Sequence, residues 1–186
     1  MNIGKEVGSV VGSLVSTGAK TLNRYIDHPL LNHLQAGNVV QLVSRVTGRS
    51  LQILQAQDGR LVLDGLGGEG HQFFNTHFTV MREEDCIVQL HNNFNYLAII
   101  SGTLQLHSAG SRNAGTGYCR FRAREVPFDK NFIVLESAVE KGRFIAVCPN
   151  GVIKSALATS CSDKDTHFGV RLIFSPRGMP AGTPVK

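Results

Sequence analysis

The chain has no tryptophan, only four cysteines and no apolar run that approaches a membrane span, which takes about 20 consecutive apolar residues. Cys86, Cys119, Cys148 and Cys161 form no Cys-x-x-Cys pair and no tight metal spacing. That excludes a zinc-ribbon or dense disulfide framework. Free thiols are the expectation, with a Cys148–Cys161 bridge as the alternative. A basic start followed by a continuous apolar stretch is missing as well, so no signal peptide is expected. The expected location is the cytoplasm, or the extracellular space by unconventional secretion. Strong charge of one sign is absent: the formal net charge is +5. A value this small describes a solvated surface and predicts no nucleic-acid partner.

Catalytic patterns are missing too. Seven histidines are scattered, and Glu83-Glu84-Asp85 stands alone before a strand. A metal site would need further oxygen ligands converging on those acids. The glycine-rich Gly65–Gly70 run has neither a Gly-Lys-Ser/Thr nor a helix opening behind it, as a phosphate loop requires. We expect no enzyme, no cofactor and no metal.

What is present is glycine, phenylalanine and short apolar runs. Twenty glycines, ten phenylalanines and 42% apolar residues describe a turn-rich β domain with a real core. Residues 1–36 differ from the rest. Ile3, Val7, Val11 and Leu14 recur at helical spacing, and Gly4, Gly8 and Gly12 share one helical face. Small residues at that spacing let helices approach closely. The segment reads as an N-terminal helical extension: a helix docked on its own domain, or one that binds a membrane surface or partner. Proline disfavours helix in the residue before it, so His28-Pro29 ends this helix. Leu30, Leu31 and Leu34 suggest a further helical turn.

From Val39 the pattern alternates, and one arrangement is written three times. Val40-Gln-Leu42, Val88-Gln-Leu90 and Ile133-Val-Leu135 open the units. Asp58-Gly59, Ser101-Gly102 and Asn150-Gly151 supply tight turns, for which positive φ is needed. Phe78, Phe121 and Phe168 stand in the closing strands. Units of roughly 45 residues with four strands could be propeller blades, but three blades do not close a propeller. Three such units do close a β-trefoil, in which six strands make a barrel and six make a cap of hairpins. The expected fold is therefore all-β: a β-trefoil of three four-strand repeats over residues 37–176, with the helical extension before it and a flexible tail over 177–186. Leu51/Ile53, Leu97/Ile99 and Phe144/Ala146, with the three phenylalanines, are the expected core.

Residues 40–174 resemble the fibroblast growth factor and interleukin-1 group of β-trefoils. The resemblance rests on Leu51-Gln-Ile-Leu followed by Asp58-Gly59 and Asp64-Gly65, and on Gly102-Thr-Leu104 leading to Cys119-Arg-Phe121. It rests also on Asn131-Phe132 and on Phe144-Ile-Ala146 leading through Asn150-Gly151 and Lys154 to His167-Phe168. It implies a growth-factor-like or cytokine-like binding protein, either a signalling ligand or an intracellular relative, acting on a protein partner. Contacts are expected at Phe128, Asn131 and Phe132. Ala123 stands where the group carries a receptor-contacting Glu, with Glu125 nearby.

The resemblance also implies a polyanion site at Asn150, Lys154 and Lys164. Two lysines facing Asp163 and Asp165 neutralise sulfates poorly, so weak heparan sulfate binding is expected. Arg120, Arg122 and Arg124 alternate on one strand face and, with Arg112, form the best basic patch. Leu97-Ala98, Gly102 and Cys119-Arg-Phe121 are similar also to the actin-bundling fascin trefoils, an alternative that implies a cytoskeletal partner. A membrane-surface protein acting through residues 1–36 is the third reading.

Overall fold

The computed structural model describes residues 29–108 and 117–178. The expected amphipathic helix with Ile3, Val7, Val11 and Leu14 lies outside the described residues, as does Arg112. No helix among the described residues is long and apolar enough to cross a membrane.

The protein is all-β. Strands β1 (Val39–Ser44), β2 (Ser50–Gln55), β3 (Leu61–Gly67), β4 (Phe78–Arg82) and β5 (Ile87–Asn92) are followed by β6 (Asn95–Ile100) and β7 (Thr103–Ser108). Then come β8 (Phe121–Val126), β9 (Asp129–Ser137) and β10 (Phe168–Phe174). Antiparallel pairings run β1–β4, β4–β5, β5–β8, β8–β9, β9–β10 and back to β1. That ring is a closed six-strand barrel, and closure leaves those strands no free edge.

Hairpin β2–β3 branches from β1, and hairpin β6–β7 branches from β5. After β9 the chain makes only two isolated bridges, Glu136 with Phe144 and Val147 with Ile153. The excursions lock to one another through backbone bonds. Ala156 N–H donates to Gly102 O at 2.9 Å, and Gly65 N–H donates to Gly151 O at 2.8 Å. A side chain at Gly65 would collide with Val147, whose Cγ1 lies 2.3 Å from where its Cβ would stand.

Alternation along the strands sends one side chain in two inward. Phe78, Phe121 and Phe168 are fully buried, joined by Val40/Leu42, Val88/Leu90 and Ile133/Leu135. Burying each of these side chains contributes about 1.5–3 kcal/mol. Leu51/Ile53 and Leu97/Ile99 sit in the same core, as the alternation predicts. Their third counterpart is Ile145/Val147, not Phe144/Ala146. The chain leaves β9 through a turn in which Ser137 N–H donates to Arg143 O and Gly142 has φ +75. Ile145 N–H then bonds Leu135 O at 3.0 Å. A one-residue change of phase reverses the face of every side chain. Phe144 therefore turns away, into a smaller cluster with Val126, Val134 and Phe132.

The short helix α1 (Pro29–His33) packs against β8, β9 and β10 and inserts Leu31 into the barrel core, joined there by Leu34 just past its end. Helix ends leave carbonyls without intrahelical donors. Arg82, the last residue of β4, serves two of them: its Nη1 donates to Leu31 O at 3.0 Å and Leu34 O at 3.2 Å.

Candidate functional site

The β8–β9 hairpin gathers the expected partner contacts. Val126 pairs with Asp129, so Pro127 and Phe128 form a two-residue turn. Proline sets φ near −65° at the first position, and Phe128 takes φ +64 at the second. A proline followed by positive φ is the type II pattern, which prefers glycine where Phe128 stands. An L-residue there costs about 1–2 kcal/mol. Phe128 recovers none of that by packing, since its relative exposure is 109%.

The root of the hairpin is fixed. Arg45 Nη1 pairs with Asp129 Oδ2 at 2.9 Å, and the same guanidinium lies 4.4 Å from the centre of the Phe132 ring. The ring centres of Phe132 and His167 are 6.4 Å apart. Phe132 is half-buried and packs on Val126, Val134 and Phe144. Asn131 is exposed, and its backbone and side-chain N–H groups both donate to Asp129 Oδ1 at 3.3 Å. The structure thus sets Phe128 and Asn131 outward and gives Phe132 a supporting place. Glu125 lines a shallow groove of about 380 Å³ with Leu31, Asp85, Cys86, Arg122 and Arg124.

Several of the expected basic residues are matched by acids. Arg120 pairs with Glu83 and Arg124 with Glu136, while Arg122 is exposed. Lys154 Nζ lies 3.0 Å from Asp165 Oδ2 and 3.9 Å from Asp163 Oδ2. The hydrogen bond to Asp165 holds the Lys154 ammonium above its ordinary range. Asn150 is occupied by its turn, accepting from Val152 N–H at 3.2 Å, and Lys164 is exposed on the following 3₁₀ turn.

Two histidines at matching positions hold the loops before their strands. His77 Nε2 reaches Gly70 O, and His167 Nε2 reaches Cys161 O, each at 3.0 Å. None of the four cysteines is joined in a disulfide; Cys86 and Cys119 are buried, Cys148 is half-buried and Cys161 is exposed. Among the described residues no group of three or more His, Cys, Asp or Glu side chains could hold a metal ion.

A second exposed aromatic escaped the sequence reading. Phe94 is 72% exposed at the β5–β6 turn, where Asn93 has φ +45 and Phe94 φ +67. Near it, Asn92 Nδ2 donates to Phe74 O and to His77 O, each at 2.8 Å, and Phe74 is 74% exposed. A sequence signal was available: residues 86–108 contain no Asp, Glu, Lys or Arg.

No protein-family model matches the chain, and no curated protein matches it. The geometry of the surface carries the functional argument by itself.

Proposed function

We propose that the chain is a non-enzymatic binding protein of β-trefoil type, similar to the fibroblast growth factor and interleukin-1 group. It engages a protein partner through the tip of the β8–β9 hairpin. Support for the trefoil comes from the six-strand ring, the excursion after every first barrel strand, and the recurring trio Phe78, Phe121 and Phe168.

The observation that carries the function is Phe128. A fully exposed aromatic in a left-handed position lowers stability and returns no intramolecular contact. Strain of this kind concentrates at functional sites, and aromatic anchors dominate protein–protein binding energy. Arg45, Asp129 and Phe132 hold the hairpin, so presenting Phe128 requires little ordering on binding.

The test is capture of partners from the source cell by the immobilised full-length chain. Each captured protein is then titrated against Phe128→Gly and Phe132→Ala. Phe128→Gly should keep its fold and lose about 2 kcal/mol of affinity, roughly thirtyfold. Phe132→Ala should lose both affinity and thermal stability. Unchanged affinity of Phe128→Gly for every captured partner overturns the reading. Filament co-sedimentation and vesicle binding run beside it as arms for a cytoskeletal or membrane target.

A further inference from the structure

The outer face of strands β4 to β7 carries a row of half-buried polar and aromatic side chains. Thr79 pairs with His91, His91 with Tyr96, and Tyr96 with His107, so one residue from each of four neighbouring strands stands abreast. Each flanks core-packed residues of the opposite phase, the buried Phe78, Val80, Leu90 and Leu97 and the half-buried Leu106, so the row faces away from the core. The His91 and Tyr96 rings lie 4.9 Å apart, tilted by 34°. The Tyr96 hydroxyl reaches Met81 Sδ at 3.4 Å, which keeps its ring against the sheet.

The charge pattern singles this face out. In a chain with 18% charged residues, segments 70–81 and 86–108 contain no Asp, Glu, Lys or Arg. Uncharged polar groups adjoin it: Gln105 shares the phase of His107, and Asn93 stands exposed at the neighbouring turn. Burial pushes the His91 imidazole below its ordinary range, which keeps it uncharged at neutral pH. At the edge of the face stands Phe94, exposed and left-handed at the second position of a two-residue turn. That position favours glycine.

We propose that this face binds an uncharged oligosaccharide. The face of an aromatic ring is weakly negative and accepts the weakly positive C–H side of a pyranose ring, so Tyr96 is the stacking platform and Phe94 a flanking wall. Amide side chains each offer donors and an acceptor, which suits hydroxyls that themselves donate and accept. The competing occupants need features that segments 70–81 and 86–108 lack. Nucleic acid or sulfated glycan requires cations to neutralise the backbone. A membrane surface favours cations beside large apolar side chains. No residue of the β8–β9 hairpin takes part, so this inference stands apart from the partner reading.

The test is a titration of the ¹⁵N-labelled full-length chain, followed by amide shifts. The probes are lactose, N-acetyllactosamine, cellotetraose and mannotetraose, with heparin and anionic vesicles as comparators. The expected result is saturable shifts at Thr79, His91, Tyr96 and His107 with at least one neutral sugar. Affinity should fall about tenfold in Tyr96→Ser and in Phe94→Gly. Phe94→Gly removes little buried surface and suits the turn, so its melting temperature should not fall; loss of binding there reports the ligand and not the fold. The proposal is overturned if none of the four sugars gives saturable shifts on this face. It is overturned equally if heparin or vesicles shift these amides and the sugars do not, or if sugar binding survives both substitutions unchanged.

Discussion

Replacing Phe128 with glycine should make the protein more stable. The side chain at this position buries nothing, since its relative exposure is 109%, so truncation forfeits no hydrophobic contact. The backbone stands at φ +64, where an L-residue carries about 1–2 kcal/mol of strain and glycine carries none. Glycine also loosens the unfolded chain, which returns about 0.4–1 kcal/mol of that gain. The net expectation is a stabilisation of about 0.5–1 kcal/mol. For a chain of this size each kcal/mol moves the melting temperature by about 2–4 °C, so the rise should be about 1–4 °C. Urea denaturation gives the same quantity as an increase in midpoint at constant slope. Phe128→Ala is the informative companion: it removes the ring and keeps the strain, so its stability should stay within about 0.5 kcal/mol of the original. A fall in melting temperature for the glycine variant would show that the ring is packed, and the argument for Phe128 as a presented anchor would fail with it.

Three further outcomes follow from the core and the sheet. Leu51, Leu97 and Ile145 occupy matching, fully buried places, so alanine at each should cost about 2–5 kcal/mol in urea titrations; a cost under about 1 kcal/mol at Ile145 would contradict its inward phase. Gly67→Ala should cost about 1–3 kcal/mol, because its Cβ would stand 2.6 Å from Thr76 Cγ2 and 2.8 Å from Ser50 O, and the latter is backbone that cannot step aside. Burial lowers the His91 pKa from 6.5, so the unfolded chain takes this proton first as pH falls. The His91 contribution is therefore complete above about pH 6.5 and is lost on acidification toward the lower folded value. Melting curves from neutral pH to about pH 5 should show a smaller decline in His91→Gln than in the original chain.

Much of the scaffold was legible because it is periodic. Val-Gln-Leu at 40–42 and again at 88–90, answered by Ile-Val-Leu at 133–135, announces inward strands through alternation alone. Asp58-Gly59 and Asn150-Gly151 announce turns through their backbone preferences. The third excursion misled for a physical reason. Phe144-Ile-Ala-Val147 is apolar at every position, so alternation allows Phe144/Ala146 as readily as Ile145/Val147. The turn at Gly142 and the bond from Ile145 to Leu135 set the phase one residue later.

The candidate surfaces divide the same way. Phe128, Asn131 and Phe132 are near one another in sequence, and a short hairpin keeps them so in space. What each does there depends on distant residues: Arg45 from the end of β1 clamps Phe132 and Asp129, and leaves Phe128 to stand out. The row of Thr79, His91, Tyr96 and His107 could not be read at all from local spacing, because its members come from four strands joined in register only by the folded sheet. By itself the sequence determined the strand-rich class and the places of the turns, since those follow from local preferences. Closure of the ring, the phase of the third excursion and the assembly of an uncharged aromatic face were decided by tertiary structure, because hydrogen-bond register between distant strands is what fixes which side chains share a surface.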